Sequence, residues 1–438
     1  MRAKLKIGIL LLAAILLLNG CALLTLDQLY YPPKRSDDYD NLQSLIDEAM
    51  KDLTYSAPIS GENRQAGQTA DLDGDGVDEY LLFAKDDSEN PLKILIFSQV
   101  ASGYVLMDTI EGYGFAFDFV EFAQMDDRDG LEIIVGRQVS DEVPRAVSVY
   151  RFTSDFARQL LSTGYNGITV CDLNEDGVKE LMILCSGPSD RSKGIAVHYA
   201  YSDDEMRRSE VSYLSQSIVS LQQVENGLLQ DGTPAVFATT LDNENTLTID
   251  VFAASDDGLV NVSGGMKIQS VSNYMVYPTD IDGDGIVEFP QSVALLPVTP
   301  ENSPEFILKW YSIDFRGNTY EKRHTYHHFV DGWYLNLDTD LESGLSVEQT
   351  EDGTDFYLWD EETGVHQKMM TIFTFTGSDR EQQASLEGRI LLYKSDSMIC
   401  VAELEDIALR FGITAESLLT DFKPIRQEWS SDESEDKQ

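Results

Sequence analysis

Three nine-residue stretches carry the residue types from which a hard-cation site can be built. They read DLDGDGVDE from Asp71, DLNEDGVKE from Asp172 and DIDGDGIVE from Asp280. Positions 1, 3 and 5 are acids or an amide, position 6 is glycine and position 9 is glutamate. Oxygens at this spacing can converge on one ion. Positions 1, 3 and 5 give side chains, position 7 gives a backbone carbonyl, and the glycine makes the sharp turn. The first loop then offers Asp71, Asp73, Asp75, the Val77 carbonyl and Glu79. The second full copy offers Asp172, Asn174, Asp176, the Val178 carbonyl and Glu180. The third offers Asp280, Asp282, Asp284, the Ile286 carbonyl and Glu288. An all-oxygen, largely anionic set suits Ca²⁺. The competing reading of any one copy is a metal-free Asx turn before a strand.

The copies begin at 71, 172 and 280, and a worn copy lies inside each interval. MDDRDGLEIIVG starts at Met125 and LLQDGTPAVFAT at Leu228, so the period is roughly 50 residues. Counted from Met125 as position 1, the first worn copy has Ile133 at position 9 and Glu132 out of phase. Asp127 and Asp129 remain in it. The second worn copy keeps only Asp231-Gly232 and reads as a metal-free turn. Strand-like runs follow the first loop at 80–84, 92–97, 104–110 and 117–122. Four short strands per repeat make a propeller blade.

Over about 60–330 the chain resembles FG-GAP (VCBS-like) repeats, on the motifs at 71, 172 and 280. The resemblance implies a mainly β chain, a β-propeller of about five blades over 61–330, and structural calcium loops bracing the turns between blades. The run 61–70 has no blade of its own. It is expected to supply the outer strand of the last blade, near 287–329, and so close the ring.

Other elements frame this region. Leu42, Leu45, Ile46, Ala49, Met50 and Leu53 recur at helical spacing, so 38–60 is read as a helix and lead-in. Residues 331–429 mix strand-like runs with a helical end that Thr414 can cap, and are read as a small α+β domain. The stretch 430–438, ending SDESEDKQ, is read as a disordered acidic tail.

The first residues read MRAKLKIGILLLAAILLLNGCALL. A basic start, an apolar core and Gly20-Cys21 resemble a bacterial lipoprotein signal peptide at 1–20, with Cys21 lipidated and 21–37 a tether. The alternative is an uncleaved anchor, because 7–26 is about long enough to span a bilayer. Either reading places the rest of the chain on the extracytoplasmic face of the cell membrane. Cys171, Cys185 and Cys400 are expected to be free thiols: the strand spacing puts the first two beyond the roughly 7 Å Cα separation a disulfide allows.

Lys+Arg is 32 against Asp+Glu 76, a net charge of −44 among 438 residues. That balance argues against nucleic acid, whose affinity rests on basic residues neutralising phosphates. No Gly-x-Ser-x-Gly elbow, P-loop or His-Glu-x-x-His is present. His324, His327 and His328 lack the further ligands a zinc site needs. Trp310, Trp333, Tyr334 and Trp359 read as core or as a ligand-facing surface. The expectation is a non-enzymatic cell-surface module that binds a protein or glycan. The alternative is an extracytoplasmic enzyme acting on cell-wall polymer or glycan.

Overall fold

The computed structural model describes residues 37–140, 145–153, 156–187, 192–241, 247–256, 258–264, 266–268, 276–299, 303–338, 341, 344–360 and 364–425. The expected signal peptide, the expected lipidation site Cys21 and the expected acidic tail lie outside these residues. Among them no helix is long and apolar enough to cross a membrane.

The central runs Leu81–Ala84, Ile133–Val135 and Leu181–Leu184 are buried at every residue. Strands apolar on both sides need a packing partner on each face. The fold supplies it as six successive antiparallel sheets. The first holds Gly67–Ala70, Glu79–Lys85, Leu92–Val100 and Gly103–Gly112, with Thr54–Tyr55 sharing the edge of Glu79–Lys85. The second holds Ala116–Ala123, Glu132–Gln138, Arg145–Thr153 and Phe156–Gly164. The third holds Gly167–Cys171, Glu180–Cys185, Ile195–Ser202 and Glu205–Tyr213. The fourth runs from Ser220–Leu228 through Pro234–Leu241 and Leu247–Ser255 to Gly258–Asn261. The fifth runs from Phe289–Ala294 through Phe306–Ile313, Thr319–His328 and Trp333–Leu337 to Phe422–Pro424.

Each sheet shares an apolar core with the next. Phe83 of the first meets Phe117 of the second edge-on, with centroids 5.2 Å apart. Leu181 and Ile183 join the second sheet's Ile134 and Val149, while Met182 and Leu184 join the fourth sheet's Val236 and Phe252. Val287 and Phe289 carry the fourth sheet's core into the fifth. Outer strands such as Glu205–Tyr213, with its exposed Arg207 and Arg208, carry charge, one of the ways an open edge is kept from pairing with another chain.

Both ends of this series are covered. The helix Asp37–Ala49 presents Leu42 and Ile46, one turn apart, to Leu82, Ala84, Leu95 and Phe97 on the outer face of the first sheet. A sixth sheet, in the order Leu345–Gln349, Thr354–Asp360, Val365–Thr376, Met398–Leu404, Ile390–Lys394, packs on the fifth. Tyr326 and Phe356 meet edge-on at 5.3 Å across that interface. Thr414 caps the helix Ala415–Asp421, its Oγ1 accepting from Ser417 N–H at 3.1 Å.

Two expectations differ from what is found. The strand Gly67–Ala70 does not join the last sheet. It pairs antiparallel with Glu79–Lys85, Gly67 opposite Leu82 and Ala70 opposite Glu79. A tight loop returns the chain beside itself at little entropic cost, whereas closure across the molecule would have to fix a far longer one. The outer face of the first sheet is taken by the helix. The boundary placed at 331 falls inside the fifth sheet, because Trp333–Leu337 pairs with Thr319–His328.

Candidate metal loops

In the first four sheets a loop joins the first strand to the second. In the fifth, a lone bridge between Thr279 and Glu288 stands for the first strand. The full loops fold alike for local reasons. Position 2 is a buried apolar anchor: Leu72, Leu173 or Ile281. Its N–H donates to the Oε2 of the position 9 glutamate, at 3.0 Å for Glu79, 3.0 Å for Glu180 and 3.2 Å for Glu288. Position 1 accepts backbone N–H groups across the turn. Asp71 takes Gly74 at 2.8 Å and Gly76 at 3.0 Å, Asp172 takes Gly177 at 3.2 Å, and Asp280 takes Gly283 at 2.6 Å and Gly285 at 2.9 Å.

The folded loops bring together Asp71, Asp73 and Glu79; Asp172, Asp176 and Glu180; and Asp280, Asp282 and Glu288. In each group one carboxylate oxygen per residue lies within 4.8 Å of the others. Asp75 and Asp284 stand outside the groups of their own loops. Each accepts from the N–H two residues on, Val77 at 2.8 Å and Ile286 at 2.9 Å, and Asp284 also meets Lys322 Nζ at 3.0 Å. Val178 donates likewise to Asp176 at 2.8 Å, and the Asn174 amide donates to Asp176 at 3.0 Å.

The donor sets fit a hard cation. They are all oxygen, and their charges crowd one another. Burial, then Asp75, raises the Asp73 pKa, and burial raises that of Glu79 with Asp73 adding to it. Burial pushes Glu288 up to about 7, with Asp282 and Asp284 beside it. Glu288 Oε1 and Asp172 Oδ1 are buried with no hydrogen-bond partner.

The loop at 125 follows a different register from the one read above. Met125 is fully buried and its N–H donates to Glu132 Oε2 at 2.7 Å, the bond Leu72 makes to Glu79. Gln124 is therefore position 1, Asp126 position 3, Arg128 position 5 and Glu132 position 9. Glu132 is in phase and Ile133 is the next strand residue. Contacts between loops confirm the count. The position 8 N–H of one loop donates to the position 1 carbonyl of the loop before it: Leu131 to Asp71 at 3.1 Å, Lys179 to Gln124 at 2.7 Å, Val287 to Leu228 at 3.1 Å. Among the described residues this ladder breaks once, between the fourth loop and Asp172. The fourth loop is cut to a turn in which Asp231 accepts from Phe315 N–H at 3.1 Å. Beside the break lies a cleft of 480 Å³ lined by Asp172, Lys179, Leu228 and Pro234. A second cleft, of 460 Å³, opens where the first strands of the second, third and fourth sheets meet Ser60–Asn63. Glu121 lines it beside Glu62, and burial followed by Glu62 raises its pKa.

The histidines at 324–328 serve packing. His327 lies flat on Tyr334 at 5.1 Å and His328 on Trp333 at 5.2 Å, while His324 Nε2 meets Glu321 at 2.8 Å. Cys171 and Cys400 are buried and Cys185 half-buried, all three free. Burial holds the His327 pKa down at about 3, against 6.5 in the open chain. The unfolded chain therefore takes up this proton first as pH falls. The stability His327 contributes is complete above pH 6.5 and is lost between there and about pH 3, at no more than about 1.4 kcal/mol per pH unit. In urea melts between pH 6.5 and 4.5, His327→Gln should lose stability about 1 kcal/mol per unit less steeply than the parent. Parallel curves would contradict the assignment.

No family model and no curated protein matches the chain. Among solved structures it is similar to exotype rhamnogalacturonan lyase YesX, with 14% identity, 80% of this chain and 72% of that one covered, and a TM-score of 0.27. It is similar to rhamnogalacturonan lyase PL11 of Bacillus licheniformis, with 13% identity, 80% and 72% covered, and a TM-score of 0.28. The β-propeller domain of the Trilobed protease from Pyrococcus furiosus, described as having an open velcro topology, gives 12% identity, 71% and 89% covered, and a TM-score of 0.29.

Proposed function

We propose that this chain is a cell-envelope lipoprotein carrying an open, propeller-type arrangement of sheets braced by Ca²⁺, and that it binds a protein or glycan at the cell surface. One observation carries the metal reading: three loops of matching register each gather three carboxylates within 4.8 Å, two of them with a buried, unpartnered oxygen, on Asp172 and on Glu288. The stacked four-strand sheets, and the resemblance of their loop motifs to FG-GAP units, support the arrangement. Gly20-Cys21 supports the lipid anchor on the extracytoplasmic face. An intact mass of the membrane form that still includes Met1 would remove the anchor.

The cleft at Ser60–Asn63 supports the binding role, since strand edges from three sheets wall it with apolar side chains such as Phe119 and Ile168 beside polar ones such as Asn63 and Asn226. The Glu62 and Glu121 pair there favours the second reading, an enzyme acting on glycan or cell-wall polymer. Release of new reducing ends from cell-wall polymer, lost in Glu121→Gln, would establish that reading. Its absence leaves binding.

Calcium is tested on the folded chain. With affinities of about 10⁻⁴–10⁻³ M, free Ca²⁺ at 100 times Kd adds about 2.7 kcal/mol per independent site. Melting temperature should rise through a Ca²⁺ titration from EDTA. Asp71→Ala, Asp172→Ala and Asp280→Ala should each remove part of the gain, and Asp231→Ala should remove none. Mg²⁺ should substitute poorly, because it demands a tighter octahedral shell. A melt indifferent to Ca²⁺, with no metal found by elemental analysis, would reduce the loops to turns.

A further inference from the structure

The second loop keeps two of the acids that the first loop gathers. Asp126 corresponds to Asp73 and Glu132 to Glu79. Both are buried, and between them lies a buried guanidinium. Arg151 Nη2 contacts Asp126, and its Nε lies 3.6 Å from Glu132 Oε1. The same side chain reaches the third sheet, its Cζ 4.7 Å from the Tyr201 ring centroid and its Nη1 3.7 Å from Asp204.

The strand register shows that this arginine is particular to the second sheet. Tyr80, Ile133, Leu181 and Phe289 pair with Phe97, Tyr150, Tyr199 and Tyr311. The residues one step further on, beside the position 9 glutamate, are Ser98, Arg151, Ala200 and Ser312. Only one is a cation. The second loop has also lost the acids at positions 1 and 5, which are Gln124 and Arg128, so it has shed the charges that only an ion would need.

We propose that Arg151 is a built-in cation: its guanidinium fills the place that a divalent ion takes in the first, third and fifth loops and makes the second loop independent of metal. Two buried carboxylates without a positive charge between them would repel and remain unsolvated. The guanidinium places a positive charge beside both and reaches on to Tyr201 of the neighbouring sheet. Chelation then has a non-uniform effect on the chain. It removes the brace at three loops and leaves the turn at 124–132 intact.

The inference rests on the calcium reading for the identity of the replaced ion, and the experiment separates the two. Bound Ca²⁺ per full chain is measured by equilibrium dialysis, and melting is followed in EDTA and in saturating Ca²⁺. The variants are the parent, Arg151→Ser, and Gln124→Asp/Arg128→Asp/Arg151→Ser, which restores acids at positions 1 and 5. Arg151→Ser should melt lower than the parent in EDTA. The triple variant should bind one more Ca²⁺ per chain than the parent and recover its melting temperature only when the ion is present. A charge-neutral variant, Asp126→Asn/Glu132→Gln/Arg151→Met, should gain no ion and show the same shift in melting temperature between EDTA and Ca²⁺ as the parent. The proposal is overturned if Arg151→Ser melts like the parent in EDTA, or if the triple variant gains no ion or does not recover in Ca²⁺. The parent count judges the other three loops separately, because a parent that binds nothing removes the calcium reading whatever the variants do.

Discussion

Replacing Trp333 by alanine is expected to lower the unfolding free energy by about 3–5 kcal/mol. The indole is fully buried where the fifth sheet, the sixth sheet and the last strand meet. It stacks on His328 at 5.2 Å and lies 5.9 Å from Tyr326 and 5.4 Å from Phe422. Its Nε1–H has no hydrogen-bond partner among the described residues, so the loss is one of packing. Trp333→Phe should therefore cost less than half as much, a result a hydrogen-bonding role would not give. Equilibrium urea melts read both values, and a loss under 1 kcal/mol for the alanine variant would show that this junction is not a core. The same contacts imply that the chain after 338 is not a detachable domain. Phe422–Pro424 completes the fifth sheet by pairing with Trp333–Leu337.

The second large effect belongs to a glycine. Gly130 has φ +109°, and a Cβ there would stand 2.5 Å from the Leu72 carbonyl oxygen. Gly74 answers from the first loop with φ +77°, where a Cβ would meet the Asp129 carbonyl carbon at 2.5 Å. The two loops thus interlock backbone to backbone. Gly130→Val should cost about 3–5 kcal/mol, combining left-handed strain with overpacking against atoms that cannot rotate away. Gly76→Ala is the control. It shares the left-handed backbone, φ +86°, but has nothing within 4 Å, so it should cost only about 1–2 kcal/mol. Equal losses in denaturant melts would mean that the close approach is immaterial.

The loops at 71, 172 and 280 were legible because every signal in them is local: acids at alternate positions, a glycine, a closing glutamate. The copy at 125 reads one residue out of register for the same reason. Along the chain Met125 falls at the first ligand position, and only its bond to Glu132 shows that it is the buried anchor. Arg151 gave no signal, because it reaches Glu132 through strand pairing rather than along the chain. The strands were visible as apolar runs, but not their grouping. The run at 117–122 reads as the fourth strand of the preceding repeat, whereas Ala116–Ala123 opens the second sheet, since a sheet is defined by its hydrogen bonds and a sequence shows only its segments. Trp333–Leu337 reads as lying past a boundary because the repeat motif ends before it, yet it pairs with Thr319–His328 in the fifth sheet.

The helix over the first sheet has a consequence for the company this chain keeps. A sheet apolar on both sides is a template on which another sheet can be laid, and a row of them with a bare terminal face would invite the next copy to dock, then the next. Leu42 and Ile46 occupy that face at one end and the sixth sheet occupies it at the other. The array is thereby finite. Stripping the helix would bare the apolar face at that end alone, where two copies could meet face to face, so residues 37–49 shield the chain from its own kind as well as completing its core.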